Sequence, residues 1–412
     1  MEGALKKVII LTGRELAYQV IRALGREGVR SIVIYGHERD EIAQFSKYVS
    51  ESYRIPLFFD HTERLMDLLL KKKREWSGTL IIPTEDYGVR FLSKNRHTLS
   101  PYYIIPTPPA KIIDTIVNKK SLYALAGAAG IPVAPVYSPA SLKELLSLKS
   151  AINFPCLLKP GLGHLFNRAY DLKMFEISHF DELVNLYKDL TNNFTRDEFD
   201  MMICDIIPGP DAKQMVQFAS YIDTSGELLA AMTTRKMRQD PPKYGQGRVT
   251  KSERVEEVFE PSYNLLKALS YRGFSEIEWK YDPRDGVYKL IEINPRFIFY
   301  MGLCVACGVN FPYIQYCDLV RHQKIRAESF RENIYWIHEY KDVLHSVFHH
   351  RLERISLWDY IRPYLGKKTL AILDVKDPRP FYEQWKQHQI NMFRKIKSEK
   401  HPGQNGRLSG RR

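Results

Sequence analysis

From Gly273 to Arg296 the sequence sets two short apolar runs, residues 273–280 and 289–296, on either side of Asp282-Pro283-Arg284-Asp285-Gly286. That pentapeptide is a strong turn signal, and the whole stretch reads as a β-hairpin. Side chains two apart on a strand share a face, so Glu292, Asn294 and Arg296 point the same way. Glu278 sits on the partner strand and can meet them across the hairpin. Two carboxylates and an amide oxygen on one face form a donor set for a hard divalent cation, Mg²⁺ above all. A guanidinium beside such a site suits chemistry that moves a phosphoryl group.

The remainder of the chain has to supply what such a cation would serve. A length of 412 residues accommodates two or three domains, and 44% apolar with 26% charged residues is ordinary globular composition. Lys7-Val8-Ile9-Ile10-Leu11, a helical stretch from Glu15 to Glu27 ended by Gly28, and Ser31-Ile32-Val33-Ile34-Tyr35 make a strand–helix–strand unit. A helix over 62–73 and the strand Thr79-Leu80-Ile81-Ile82-Pro83 continue the alternation, which predicts a parallel sheet. Residues 1–108 therefore read as a Rossmann-like α/β domain. Its first turn holds one glycine, too few for a dinucleotide fingerprint. Pro106-Thr107-Pro108-Pro109 marks its end.

Five cysteines without regular spacing read as free thiols in a reducing compartment. Cys304 and Cys307 have no second pair and lie in an apolar helical stretch, which favours packed thiols over a redox or zinc site. The first residues carry no signal-peptide pattern and no apolar run is long enough to span a bilayer, so a cytoplasmic location is expected. The net charge is +13, of which +6 falls between Arg394 and Arg412, a Gly- and Ser-rich stretch expected to be a disordered basic tail. Such a tail could touch an anionic membrane surface. Aromatic–basic interleaving is missing, so no specific nucleic acid is expected.

Glu278, the turn, then Glu292-Ile293-Asn294-Pro295-Arg296 resembles the metal-binding end of the ATP-grasp superfamily, whose pattern is close to Glu…Glu-x-Asn-x-Arg. Upstream stretches extend the resemblance over roughly residues 5–325. Asn118-Lys119-Lys120 followed by Gly130-Ile131-Pro132 is similar to the family's Asp-Lys…Gly-x-Pro, with Asn118 in place of the usual Asp. An apolar run from Ile152 ends in Lys159-Pro160, like the family's second nucleotide lysine. The glycine loop that follows is thin, Gly161-Leu162-Gly163-His164, with Arg168 as a further donor to phosphate. Met201 to Asp211 is similar to the linker that carries the adenine. Arg235-Lys236-Met237-Arg238-Gln239 with Pro241-Pro242 looks like the carboxylate–amine ligase branch that includes D-aspartate ligase.

The resemblance implies an ATP-grasp domain of two α+β subdomains over residues 109–325, a small appended element over 326–393 and the tail over 394–412. It implies ATP as substrate with one or two Mg²⁺, or Mn²⁺, held by Glu278, Glu292 and Asn294. Lys119 and Lys159 would contact phosphates, Asp205, Ile206 and Ile207 the adenine, and Asp211 the ribose. Arg296, with Lys236 and Arg238 on one face of a strand, would stabilise charge on the substrate carboxylate and the transferring group. The implied reaction joins a carboxylate to an amine through an acylphosphate, releasing ADP and phosphate. Amino acids or an anionic cell-wall-type precursor fit as substrates, and a dimer is compatible. The alternatives are activation of bicarbonate, as in carbamoyl-phosphate synthases and carboxylases, and a nucleotide-binding protein without catalysis.

Overall fold

A computed structural model describes residues 7–36, 41–55, 62–160, 174–193, 201–241, 244–344, 346 and 356–400, with backbone alone at 160 and 390–400. The first unit is a five-stranded parallel sheet. Its strands are β1 (Val8–Leu11), β2 (Ser31–Tyr35), β3 (Val49–Arg54), β4 (Thr79–Pro83) and β5 (Tyr103–Ile104), in the order β3-β2-β1-β4-β5. All four residues of β1 are buried, as a central parallel strand covered on both faces requires. The expected helix runs Glu15–Gly25, and Gly28 takes a φ of 84° that an L side chain rarely adopts. β3, with an alternating half-exposed pattern, was not foreseen.

The second unit is a four-stranded sheet of β6 (Val136–Tyr137), β7 (Cys156–Pro160), β8 (Phe175–Ile177) and β9 (Met201–Asp205), ordered β6-β9-β7-β8. It packs on helices Leu142–Ser147 and Phe180–Asn193 around Leu158, Leu183 and Ile203. The chain leads into it through two short helices, Ala110–Val117 and Lys119–Ala128. The break falls at Asn118, whose Oδ1 accepts from the Ser121 N–H at 3.1 Å and so caps the second helix.

The third unit is a seven-stranded sheet of β10 (Met215–Ile222), β11 (Leu228–Asp240), β12 (Gln246–Ser252), β13 (Gly273–Asp282), β14 (Val287–Asn294), β15 (Tyr335–Ile337) and β16 (Lys368–Leu370). Its order is β14-β13-β10-β11-β12-β15-β16. β12 pairs with the second half of β11, from Thr234 to Asp240. Ile277 and Trp279 turn one face of β13 into the core beneath helix Phe259–Ala268, where Trp279 Nε1 donates to Ser262 Oγ at 2.9 Å. Alternation then puts Glu276, Glu278 and Lys280 on the opposite face. On β14 the ladder slips between Glu278 and Trp279, a bulge that leaves Glu278 opposite Glu292 and Glu276 opposite Asn294.

Residues after 325 do more than pack on the outside, since β15 and β16 complete the large sheet. Asp342, fully buried, accepts from Arg238 Nη2 (3.0 Å), Arg248 Nε (2.8 Å) and Tyr364 OH (2.6 Å). Glu15 of the first helix meets His338 Nε2 at 3.0 Å and Lys341 Nζ at 3.2 Å. Helix Arg379–Lys400 continues through residues 394–400, so the start of the basic stretch is helical where a disordered tail was expected. Residues 401–412 lie outside the described residues. Among the described residues no single helix is long and apolar enough to cross a membrane. All five cysteines are buried free thiols.

Candidate active site

A cavity of about 730 Å³ opens between the four-stranded and seven-stranded sheets. Lys119, Lys159, Asp205, Ile206, Ile207, Asp211, Lys236, Glu278, Glu292, Asn294 and Arg296 all line it, although they span 178 positions of sequence. Arg238 does not. The β11–β12 ladder slips between Lys236 and Arg238, Met237 is the extra residue, and the faces exchange. Lys236 stays in the cavity, with Nζ 3.3 Å from the Gly245 carbonyl. Arg238 turns away to Asp342 and to the carbonyl of Tyr360 at 3.1 Å, with its guanidinium 4.8 Å over the Tyr360 ring. Of the two cations expected together at the reacting centre, Lys236 lines the cavity and Arg238 does not.

The hairpin forms one wall. Glu278 and Glu292 are cross-strand partners, and carboxylates so placed repel each other unless a cation joins them. Lys119, the first residue of its helix, reaches across to Glu292 with Nζ 3.2 Å from Oε2. Its charge, acting against burial, pulls the Glu292 carboxyl down to about 2. Burial, offset in part by Lys236 and reinforced by Glu292 and Glu276, pushes the Glu278 carboxyl up to about 7. A buried acid with that much unmet negative charge around it marks where a dication would be stabilised. No group of three or more His, Cys, Asp or Glu side chains arranged to hold a metal occurs among the described residues. Two carboxylates and an amide therefore leave most of the coordination shell to phosphate oxygens and water, as Mg²⁺ prefers. The residues present fit a magnesium–nucleotide site.

On the facing wall Lys159 lies near the end of β7, half-buried, and no acceptor for its ammonium lies among the described residues. Burial and the ammonium of Lys119 hold its pKa below the usual lysine range. Lys119 is paired with Glu292, whereas Lys159 faces no acceptor among the described residues. Asp205 gives its N–H to the Pro135 carbonyl at 3.0 Å, and the backbone of Ile206 and Ile207 continues along the cavity wall. Asp211 is presented but engaged: Oδ1 accepts from Lys280 Nζ at 2.7 Å, and Oδ2 from Gln239 (3.1 Å) and the Tyr244 N–H (2.9 Å). Arg296 crosses to the parallel-sheet unit, with Nε 2.6 Å from Asp86 Oδ1. The glycine loop 161–164 and Arg168 lie outside the described residues.

Sequence reasoning missed Glu276, Lys280, Tyr300 and Asp86, all on the cavity wall. The signal for two of them was present, since Glu276 and Lys280 stand two residues either side of Glu278 and share its face. Tyr300 and Asp86 come from loops and a helix start that carry no periodicity toward the site.

Comparison with known proteins follows the same lines. A family model described as "ATP-grasp in the biosynthetic pathway with Ter operon" matches residues 219–339. The biotin carboxylase domain of Hydrogenobacter thermophilus 2-oxoglutarate carboxylase, solved with MgADP, ADP and bicarbonate, superposes with a TM-score of 0.64 at 20% identity, over 81% of this chain and 74% of that one. An L-amino acid ligase from Bacillus licheniformis gives 0.57 at 16%, over 77% and 74%. The fold and the site are those of an ATP-grasp enzyme, a class whose members use ATP and Mg²⁺. Within it, the chain is similar to D-aspartate ligase from Enterococcus faecium, 25% identical over 336 residues that cover 74% of this chain and 78% of the ligase. It spans 61% or less of the carboxylases it also matches.

Proposed function

We propose that the protein is an ATP-dependent carboxylate–amine ligase acting on small molecules, with an amino acid as one substrate. The observation that carries this is the single face of the β13–β14 hairpin, which sets Glu278, Glu292 and Asn294 beside Arg296 and opposite two lysines that face no acceptor but Glu292. Lys119 and Lys159 lay positive charge on the phosphates, and the Ile206–Ile207 backbone borders the nucleobase. Asp211, steadied by Lys280, faces the ribose side of the cavity. Mg²⁺, when bound by Glu278, Glu292 and Asn294, neutralises charge on the phosphate oxygens. Arg296 and Lys236 orient the substrate carboxylate. Its oxygen attacks the γ-phosphorus, the bond to the β-phosphate oxygen breaks, and ADP leaves. An amine then attacks the acyl carbon, the carbon–oxygen bond to phosphate breaks, and the lost proton passes to solvent. The chain needs no nucleophile of its own; it positions reactants and neutralises charge.

The chain is similar to both ligases and carboxylases, and the similarity to D-aspartate ligase over 78% of that enzyme favours the ligase reading. The buried free thiols support a cytoplasmic location. The test is a screen of single carboxylates, amino acids and pairs for ADP release, with hydroxylamine present to trap an acylphosphate as a hydroxamate. Hydroxamate formation with one carboxylate, replaced by amide when the amine is added, is the expected result. ADP release driven by bicarbonate alone moves the protein to the carboxylase reading. Nucleotide binding without ADP release from any pair rejects catalysis.

A further inference from the structure

Glu276 is a third carboxylate on the wall that carries Glu278 and Glu292, and it is 4% exposed. It stands directly opposite Asn294 in the ladder. Both of its oxygens are engaged by uncharged donors: Oε2 accepts from Asn294 Nδ2 at 2.8 Å, and Oε1 accepts from Tyr300 OH at 2.7 Å. The Asn294 amide nitrogen also faces Glu292 Oε1 at 3.5 Å. With carboxylates on both approaches to one end of the amide, that end is the NH₂, which leaves Oδ1 as the end free for a cation.

This orientation matters chemically. An amide offers a hard cation its oxygen only; turned over, the same side chain presents two N–H dipoles that repel the cation. The asparagine cannot set its own orientation, because its two ends are nearly the same size. Something beside it must choose, and the choice is made by an acceptor-only group fixed on the far side. Glu276 is such a group, and Tyr300 holds it still. A role as a third metal ligand fits less well. No three acidic or imidazole side chains here converge on a common point among the described residues.

We propose that Glu276 is a positioning residue, which holds the Asn294 amide so that its carbonyl oxygen is presented to magnesium. The inference rests on the hairpin being the magnesium site. Partners that orient a ligand from behind typically change metal affinity 10- to 100-fold when removed. The test is Mn²⁺ binding to the protein–ADP complex, read by electron paramagnetic resonance, with ADP binding in EDTA measured alongside.

In Glu276→Ala the amide is released, and Mn²⁺ affinity falls about tenfold or more, while ADP affinity in EDTA is unchanged. Glu276→Gln keeps an oxygen acceptor toward Asn294 and stays within about threefold of wild type. The double variant Glu276→Ala/Asn294→Asp recovers Mn²⁺ binding, because a carboxylate presents oxygen whichever way it turns; a general loss of packing at Glu276 would show no such rescue. Tyr300→Phe, which removes the other tether, gives an intermediate loss and carries the test if Glu276→Ala does not fold. Wild-type Mn²⁺ affinity in Glu276→Ala overturns the proposal, as does equal loss in Glu276→Ala and Glu276→Gln, which would mark Glu276 as a charged ligand. Glu292→Gln separates the two levels. If it binds Mn²⁺ like wild type, the hairpin is not the metal site; if it loses Mn²⁺ and Glu276→Ala does not, only the positioning role fails.

Discussion

Replacing Lys159 by Met should weaken nucleotide binding and yet leave the empty protein at least as stable. The ammonium lies half-buried on the cavity wall, faces no acceptor among the described residues, and feels the charge of Lys119, so its pKa is held below the usual range. Its presence in the empty protein is therefore slightly unfavourable, and Met keeps the length of the apolar stem. Removing the charge should raise stability by no more than about 1 kcal/mol, or about 1–2 °C for a chain of this size. The nucleotide loses a charge-assisted hydrogen bond of about 1.5–3 kcal/mol, a weakening of about 10- to 100-fold in Kd. With ATP at 100 times the wild-type Kd, ligand binding stabilises the wild type by about 2.7 kcal/mol; a variant weakened about thirtyfold keeps only about 0.9 kcal/mol. Paired melts with and without Mg²⁺–ATP, together with titration calorimetry, read both signs. A Lys159→Met protein that binds ATP like wild type, or that melts several degrees lower when empty, would refute the reasoning and make Lys159 an ordinary structural lysine.

Asp342→Ala leaves two buried guanidinium groups without their shared carboxylate and should destabilise the fold by about 3–5 kcal/mol, measured by denaturant melts; a change under about 1 kcal/mol would show that the clamp is idle. Arg238→Met should lower stability yet leave the affinity for Mg²⁺–ATP within about twofold by calorimetry; loss of ATP binding in a folded variant would return Arg238 to the active site. Burial alone would raise the Glu15 carboxyl, but His338 and Lys341 hold it far below its ordinary 4.5. A depressed acid contributes its stability above its unfolded pKa and loses it as pH falls toward the folded value. The contribution from Glu15 should thus be intact above about pH 4.5 and fade below it. Glu15→Gln should flatten that part of the acid melting profile; an unchanged profile would exclude the ion pair as its source.

Local chemistry made much of this molecule readable. The buried run Val8–Leu11 and the Asp282–Gly286 turn gave two of the three sheets their anchors. Glu278, Glu292 and Asn294 could be placed together because they lie on one hairpin, where period-two alternation and the turn decide the geometry. Arg238 shows the limit. Strand alternation put it beside Lys236, but a one-residue bulge in the pairing with β12 reversed its face, and the alternation of β11 alone does not show a bulge. Tyr300 and Asp86 reach the cavity only through tertiary packing, which no local pattern encodes. Residues 326–400 lacked a motif for a related reason. They add two short sheet strands and buried ions such as Asp342, whose arginine partners lie about a hundred positions away.

The central claim is that acidic and amide oxygens of one hairpin hold magnesium–ATP. Diffraction from crystals grown with Mn²⁺ and a nonhydrolysable ATP analogue tests it most directly, using the anomalous signal of the metal. An anomalous peak bounded by Glu278, Glu292 and Asn294, with the phosphates between it and Lys119 and Lys159, is the expected result. A nucleotide bound with its metal elsewhere, or seated away from residues 278–296, would contradict it.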